Sequence, residues 1–381
     1  MKNLIVLIAI MLCGWNATQV GAQSMVAFNG HWGKALKISS DFPTTTYHKV
    51  VSLAFLARQH GAYSSALQCE GRGFTLSFHD PGNTAVLGYG VGLQYASRFR
   101  QPLCERLGLY EEFRIGGVYY TKKYQALHNP LNTASGSKLS ALVGLEFGIH
   151  YNVSRRMRVL SGVCIWHSSN GHVELPNTGI NSIVAVAGIN VLPNREKNTD
   201  SSHFTLPVTN EWRWSLAAVW GINEAGSTTR PVDGPKYTKK GLDFWVAYRS
   251  GIAHSWSVSL LAYHDQTYAV YNHLLEWDDP SLINSSALAL LLGHEFIYER
   301  LSLAIQGGVN LYNPTLKRIV SETEGKTTGN VIKQYVPGRF LMRYFPLHPD
   351  RYKRTVYLQA GIKSNFGQAD FLEIGIGIMN R

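Results

Sequence analysis

Most of this chain is built from short segments in which large apolar residues alternate with glycine or polar residues. In AVLGYGVGLQYA, residues 85–96, leucine, tyrosine and valine occupy the odd positions from 87 to 95, and glycine and glutamine occupy the even positions from 88 to 94. The last such segment, FLEIGIGIMN, repeats the pattern with Glu373, Gly375 and Gly377 on one parity. Successive side chains of a β-strand point to opposite faces, so the pattern predicts strands with one apolar and one polar face.

The composition of the two faces distinguishes a membrane barrel from a soluble sandwich. The polar face is rich in glycine and poor in lysine, and aromatic residues make up 12% of the chain. Strands of about ten residues with apolar-out, polar-in alternation and Trp or Tyr near their ends are typical of transmembrane β-barrels. The sequence therefore predicts an all-β fold, a single transmembrane antiparallel β-barrel of about 14 strands, within a range of about 12 to 16.

The N-terminus has the features of an export signal. Lys2 precedes an apolar run from Leu4 to Cys13, and small residues end at Ala22. This order predicts a cleaved signal peptide, residues 1–22, followed by the barrel, residues 23–381. No later segment offers about 20 consecutive apolar residues, so a helical membrane span is not expected.

Three cysteines remain after cleavage, namely Cys69, Cys104 and Cys164. An odd number argues against a disulfide scaffold, although a bridge between Cys69 and Cys104 is compatible with an oxidising compartment.

The chain is basic, with a net charge of +11 from 36 Lys and Arg against 25 Asp and Glu. This charge favours anionic partners. An exported chain is a poor candidate for binding nucleic acid, and an anionic lipid surface is a better one. Simple solvation of the loops remains an equally open explanation.

Three polar segments are predicted to connect strands. The longer ones, residues 193–211 and 224–240, are expected to be loops on one rim of the barrel. The compact NVSRR, residues 152–156, suits a tight turn on the opposite rim.

Residues 166–181, WHSSNGHVELPNTGIN, place polar residues between two apolar strands. By parity, His167 and Ser169 share the outward apolar face of their strand, and Asn181 would lie beside them one strand over if the strands form a hairpin. Polar groups facing hydrocarbon are costly, which suggests that these three satisfy one another. A serine beside an imidazole that a third group orients is the arrangement that makes serine nucleophilic, and Asn170 with the backbone of Gly171 could supply an oxyanion hole. An ordinary hairpin tip is the alternative.

The spacing of these residues resembles a family signature. His167-Ser168-Ser169-Asn170 followed by Pro176-Asn177-Thr178-Gly179-Ile180-Asn181 is similar to the pattern of the PagL-like lipid A 3-O-deacylases, also called acyloxyacyl hydrolases. The resemblance implies an outer-membrane β-barrel that hydrolyses an ester-linked acyl chain of lipid A in lipopolysaccharide. By position it implies Ser169 as the nucleophile, His167 as the general base and Asn170 as a contributor to the oxyanion hole.

The resemblance also implies a division of the barrel. Residues 23–210 would be the deacylase-like part that carries the motif, and residues 211–381 would be additional barrel strands beyond the small barrel typical of the family.

Two positions depart from the family pattern. The family's acid falls on Asn181, which can orient a histidine but carries no charge. Glu174, in the intervening loop, is the alternative acid. His172 stands where the family usually has glycine, which leaves the second oxyanion donor open.

The sequence therefore predicts an outer-membrane serine esterase that acts on lipid A at an outward, lipid-facing site, and that needs no cofactor or metal. One alternative is a transport barrel, because about 14 strands enclose a wide lumen that Arg213, Asp243 and Arg249 could line. Another is a non-catalytic barrel that retains a degenerate motif.

Overall fold

The structure of the chain is a computed structural model, which describes residues 24–59, 62–192, 210–277, 281–324 and 327–381. The predicted signal peptide lies outside the described residues. Sixteen strands form two closed antiparallel barrels of eight strands each in the described part of the chain. The prediction of an all-β antiparallel barrel fold is confirmed.

The first barrel runs in chain order and closes where β8 pairs with β1. A short helix, α1 (Ala62–Ala66), lies between β2 and β3. Its strands are β1 (Ser24–Ala35), β2 (His48–Arg58), β3 (Cys69–Asp80), β4 (Gly90–Pro102), β5 (Leu107–Tyr120), β6 (Leu139–Asn152), β7 (Met157–Ser169) and β8 (Ile180–Val191).

The second barrel closes where β16 pairs with β9. Its strands are β9 (Glu211–Glu224), β10 (Lys236–Arg249), β11 (His254–Asp265), β12 (Ser286–Tyr298), β13 (Leu301–Tyr312), β14 (Pro337–Tyr344), β15 (Arg354–Asn365) and β16 (Gln368–Asn380). Two connections on one rim contain helices: α2 (Gln266–Leu274) follows β11, and α3 (Pro314–Ile319), a π-helical turn (Val320–Glu324) and α4 (Thr328–Tyr335) follow β13.

The expected single barrel of about 14 strands is corrected by this topology. The strands after residue 210 close on one another and do not extend the first sheet. The segment at residues 193–211, expected to be a rim loop, joins β8 to β9 in the chain, and most of it lies outside the described residues. Alternation reports which face a residue occupies, but it does not report which strand closes onto which, so the sequence could not reveal the second closure.

The two faces of the strands agree with the alternation. On β4, Leu93 is 57% exposed and the neighbouring Gln94 only 1%. On β9, Trp214 is 47% exposed and Arg213 only 3%. Each barrel therefore presents apolar side chains outward and polar side chains inward. Among the described residues, no helix has both the length and the apolar character that crossing a membrane requires.

The interior of the first barrel is filled by paired charges. Arg114 Nη2 donates to Glu146 Oε2 at 2.8 Å, and the guanidinium groups of Arg114 and Arg98 both bind Glu112. Tyr110 donates to Glu146 at 2.9 Å. These groups are buried, so their charges are compensated inside the barrel by hydrogen-bonded partners.

The interior of the second barrel is filled in the same way. Arg339 lies between Asp243 at 2.6 Å and Glu373 at 2.7 Å, and Arg343 binds Glu295 at 2.7 Å. Eight strands give an interior just wide enough for side chains. The wide lumen on which the transport alternative depended is therefore replaced by two filled interiors.

Of the residues expected to line a lumen, Asp243 belongs to this buried network. Arg213 and Arg249 instead both bind Asp350 in the β14–β15 connection.

We expect the purified protein to conduct no ions in a planar lipid bilayer. Arginines and carboxylates are buried inside each barrel, and the interior of an eight-stranded barrel is only wide enough to hold side chains. Single-channel recording with an open porin measured alongside checks this. Repeated current steps of constant size from the wild-type protein would contradict it.

None of the three described cysteines that follow the predicted signal peptide forms a disulfide, so Cys69 and Cys104 are not bridged. Cys69 is buried at the start of β3, whereas Cys104 is exposed in the turn after β4.

The two ends of the first barrel differ in loop length. The connections at residues 36–47, 81–89, 121–138 and 170–179 lie at one end, which we call the long-loop rim. The opposite end has the tight turns at residues 103–106 and 153–156 and the β2–β3 connection with α1. NVSRR is a tight turn as predicted, but β8 ends beside it, with Val191 opposite Met157, so the prediction that residues 193–211 and NVSRR belong to opposite rims is wrong. Outer-membrane barrels have long loops outside the cell and short turns in the periplasm.

Candidate active site

The end of β7 and the start of β8 bring the predicted histidine and asparagine together. The two strands are antiparallel neighbours, and His167 lies directly opposite Asn181. His167 is exposed on the outer face of β7, the face that also exposes Val163 and Ile165, as parity predicted. His167 Nδ1 is 2.7 Å from Asn181 Oδ1. An amide oxygen only accepts, so this contact assigns the proton to Nδ1 and leaves Nε2 as the basic nitrogen.

Ser169 is two residues beyond His167 on the same face, but it is only 6% exposed. Its hydroxyl contacts the Asn177 amide in both directions: Asn177 Nδ2 donates to Ser169 Oγ at 3.1 Å, and Oγ donates to Asn177 Oδ1 at 3.3 Å. Sequence reasoning gave Asn177 no role, although Pro176-Asn177 stood in the motif. The motif did contain a signal for this role. The side-chain amide of Asn177 stands at a fixed distance after Ser169 in the sequence, and a buried amide needs a hydrogen-bond partner.

Gly179 lies between the histidine and the serine. Its φ is +71°, in the left-handed region that favours glycine. A Cβ at this position would stand 2.8 Å from the Ser168 carbonyl oxygen, 3.6 Å from Ser169 Cβ and 3.7 Å from His167 Cε1. The absence of a side chain at Gly179 therefore keeps the space between the His167 imidazole and Ser169 open.

The predicted oxyanion residues form a tight turn after β7. The Asn170 N–H donates to Asn177 Oδ1 at 3.1 Å, and Asn170 Nδ2 donates to the Glu174 carbonyl at 2.7 Å. Gly171 and His172 have φ of +68° and +73°, so two successive residues are left-handed, which explains why glycine suits the position of His172. The roles of Asn170 and Gly171 in an oxyanion hole stay predictions.

Asn181 and Glu174 were the two candidates for the residue that orients His167. The contact with the His167 ring is made by Asn181. Glu174 is half-buried in the loop, where its carbonyl accepts the bond from Asn170. The position of the family's acid is therefore filled by a neutral group that can orient the ring.

A second loop supports this turn. Gly179 N–H donates to the Ala134 carbonyl at 3.0 Å, Thr178 N–H to Thr133 at 3.2 Å, and Gly136 N–H to Pro176 at 2.6 Å. The β5–β6 loop is thus bonded along the β7–β8 loop. These bonds hold the backbone around Ser169 before any substrate binds.

One group of potential metal ligands lies inside the first barrel, away from this site. Atoms of His31, Glu146 and Cys164 lie within 4.8 Å of one another. The Arg114 guanidinium already binds Glu146, and its charge would oppose a cation there. This group is better described as part of the buried charge network.

Comparison with protein families identifies the chain. Residues 20–190 match the lipid A 3-O-deacylase (PagL) family, and residues 211–320 match the C-terminal domain of acyloxyacyl hydrolases. The chain belongs to the PagL family. It is a carboxylic ester hydrolase of the outer membrane, and lipid A of lipopolysaccharide is the substrate that the family implies. The second match also covers strands that the sequence analysis had placed beyond the family's typical barrel.

Solved structures of outer-membrane barrels resemble the chain only loosely. Neisserial surface protein A is 11% identical with a TM-score of 0.29, over 45% of this chain and 97% of that one. The NanC porin is 7% identical with a TM-score of 0.17, over 93% and 99%. OccAB4 of Acinetobacter baumannii is 9% identical with a TM-score of 0.24, over 94% and 97%. A comparison with curated proteins gave no match.

Proposed function

We propose that this PagL-family enzyme cleaves an acyl ester of lipid A with Ser169 as the nucleophile and His167 as the general base, at a site that opens toward the lipid. The observation that carries the proposal is the contact between His167 and Asn181 on the outer face of the barrel, two residues from Ser169. A polar pair on a lipid-facing surface raises the free energy of the folded protein, so its presence there favours a functional role.

The place of the site on the barrel supports a lipid substrate. His167 is at the long-loop rim, which in this class of barrel faces outside the cell, where lipopolysaccharide forms the outer leaflet. Val163 and Ile165 continue the exposed face below it toward the opposite rim. An acyl chain lying along these residues would bring its ester to the level of His167.

The chemistry follows from the orientation of the ring. Nε2 of His167 accepts the Ser169 proton as Oγ attacks the ester carbonyl, and a tetrahedral oxyanion forms. The bond from carbon to the sugar oxygen then breaks, the histidinium returns its proton to that oxygen, and the acyl group stays on Ser169. Water, deprotonated by His167, releases the fatty acid and regenerates the serine.

Amide groups of the β7–β8 loop and of β8 assist this reaction. Asn177 Nδ2 already donates to Ser169 Oγ, so its N–H lies beside the atom that attacks. With Asn170 and Gly171 it forms the set of amides from which an oxyanion hole would be made. Asn181 keeps the imidazole in the productive tautomer without adding charge.

The test is mass spectrometry of lipid A from a Gram-negative host with and without the protein. We expect the lipid A of expressing cells to lose one hydroxyacyl chain. Unchanged lipid A in cells whose outer membrane contains the folded protein would contradict the proposal.

We expect Asn181→Ala to lower kcat/KM by about a hundredfold, because the imidazole loses the group that orients it. Asn181→Asp should retain or exceed wild-type activity, since a carboxylate both orients the ring and stabilises the histidinium. Steady-state hydrolysis of lipid A in detergent micelles measures both. Full activity of Asn181→Ala would show that Asn181 does not position the base.

A further inference from the structure

A basic cavity lies on the long-loop rim of the first barrel. Its volume is about 200 Å³, and it is enclosed by the β3–β4 loop and the β5–β6 loop. Three lysines and a histidine line it: Lys122, Lys123, His128 and Lys138. None of the described residues that line it is acidic.

The cavity is held open by bonds between the two loops. Lys122 Nζ donates to the Ala85 carbonyl at 2.6 Å. Asn129 Nδ2 donates to the carbonyls of Val86 at 2.8 Å and Lys123 at 3.0 Å, and Asn132 Nδ2 also reaches Val86 at 3.1 Å. Three side chains therefore fix the backbone that positions the lysines. Like charges in a fixed loop repel one another, and an anion relieves that repulsion.

The cavity is connected to the catalytic loop. The β5–β6 loop that carries the lysines is the loop whose residues 133–136 bond to residues 176–179. Lys138 lies three residues before Ala141 in the chain. Ala141 on β6 pairs with Ser169 on β7. At the rise of a strand, this separation is about 10 Å along the sheet.

We propose that Lys122, Lys123, His128 and Lys138 form a subsite that binds a phosphate group of the lipid substrate and so sets which ester reaches Ser169. Lysine ammonium groups bind phosphate as point charges. They do not need the planar, two-bond geometry with which arginine binds a carboxylate. The subsite rests on the proposed function, because it assigns a phosphate-bearing head group to the lipid that Ser169 cleaves.

The test compares two substrates and two triple variants of the full-length protein in neutral detergent micelles. The substrates are diphosphorylated lipid A and the same lipid after phosphatase treatment. The first variant combines Lys122→Gln, Lys123→Gln and Lys138→Gln, in which each glutamine removes the charge and keeps an N–H donor. The matched control combines Arg106→Gln, Arg155→Gln and Arg156→Gln, which removes the same charge from the opposite rim.

We expect the wild-type kcat/KM to be about tenfold higher for the phosphorylated lipid, because several exposed charge contacts of modest strength add together. The lysine variant should lose this preference through KM, keep its activity on the dephosphorylated lipid, and respond less to added salt. The arginine control should behave as wild type. Equal losses on both lipids, or a wild type without preference, would overturn the proposal.

Binding to the Ser169→Ala protein separates the subsite from the catalytic proposal. Native mass spectrometry should show tighter binding of phosphorylated than of dephosphorylated lipid A, and the three lysine substitutions should remove the difference. That result supports the subsite even if the wild type hydrolyses neither lipid, in which case the catalytic assignment alone fails. Inorganic phosphate that binds as tightly as the phosphorylated lipid would instead indicate a free-anion site and overturn the assignment to lipid.

Discussion

Ser169→Ala is expected to lower the rate of lipid A deacylation by at least about a thousandfold, with both barrels folded. In the proposed mechanism the hydroxyl oxygen forms the bond to the acyl group, and alanine has no atom that can do so. Its removal deletes two hydrogen bonds to Asn177 but leaves the bonds from residues 133–136 to the β7–β8 loop intact. His167→Ala should have an effect of similar size, because residues that act as a unit are not additive.

Strand β7 provides a matched control. Ser161 lies on the same outer face, is exposed, and is near the opposite rim. Ser161→Ala should therefore deacylate lipid A as the wild type does. The measurement is mass spectrometry of lipid A from cells that express each variant at equal levels in the outer membrane. Normal deacylation by Ser169→Ala would remove Ser169 as nucleophile and leave the family's activity to be assigned to another residue.

Gly179→Ala is expected to lower kcat/KM by about a hundredfold. The methyl group would stand 2.8 Å from the Ser168 carbonyl oxygen and within 3.7 Å of atoms of both His167 and Ser169. The left-handed conformation adds about 1 to 2 kcal/mol for any residue with a Cβ. The loop must shift to relieve the contact, and a shift of about 1 Å at reacting groups can cost about a hundredfold in rate.

Gly367 separates backbone strain from the effect on the site. It too is left-handed, with φ of +79°, and a Cβ there would meet nothing within 4 Å. Gly367→Ala should thus show the strain as a small fall in thermal stability and no change in kcat/KM. If Gly179→Ala retains wild-type kcat/KM, the gap between His167 and Ser169 has no catalytic importance.

The sequence alone was enough to predict which face of each strand is apolar and that His167 and Asn181 lie on the outer face. Alternation predicted that Leu93 would be outside and Gln94 inside, and parity alone predicted that His167 and Asn181 would face outward as neighbours. Both follow from the two-residue period of a strand, which is a local property. A local property is the kind that one sequence reports reliably.

The number of barrels was not accessible in this way. Closure depends on which edge strands meet, and the hydrogen bonds between β1 and β8 join residues far apart in the chain. The same alternation continues from β9 to β16, so nothing in the pattern marks the point at which one sheet ends.

Part of the site was also beyond the sequence. Parity placed Ser169 on the outer face, but its side chain is only 6% exposed and is hydrogen-bonded to Asn177. The role of Asn177 depends on the fold of the loop, since the turn at Gly171 and His172 brings its amide back to Ser169. Turn geometry of this kind is set by several residues together and not by spacing.

His167 is exposed on the outer face of β7, and this position determines which substrate concentration controls the rate of the enzyme. A lipid that reacts there can arrive by lateral diffusion and need not leave its leaflet. Turnover would then depend on the mole fraction of substrate in the surrounding bilayer, and dilution with an inert lipid would slow the enzyme even when the total amount of substrate in the sample is constant.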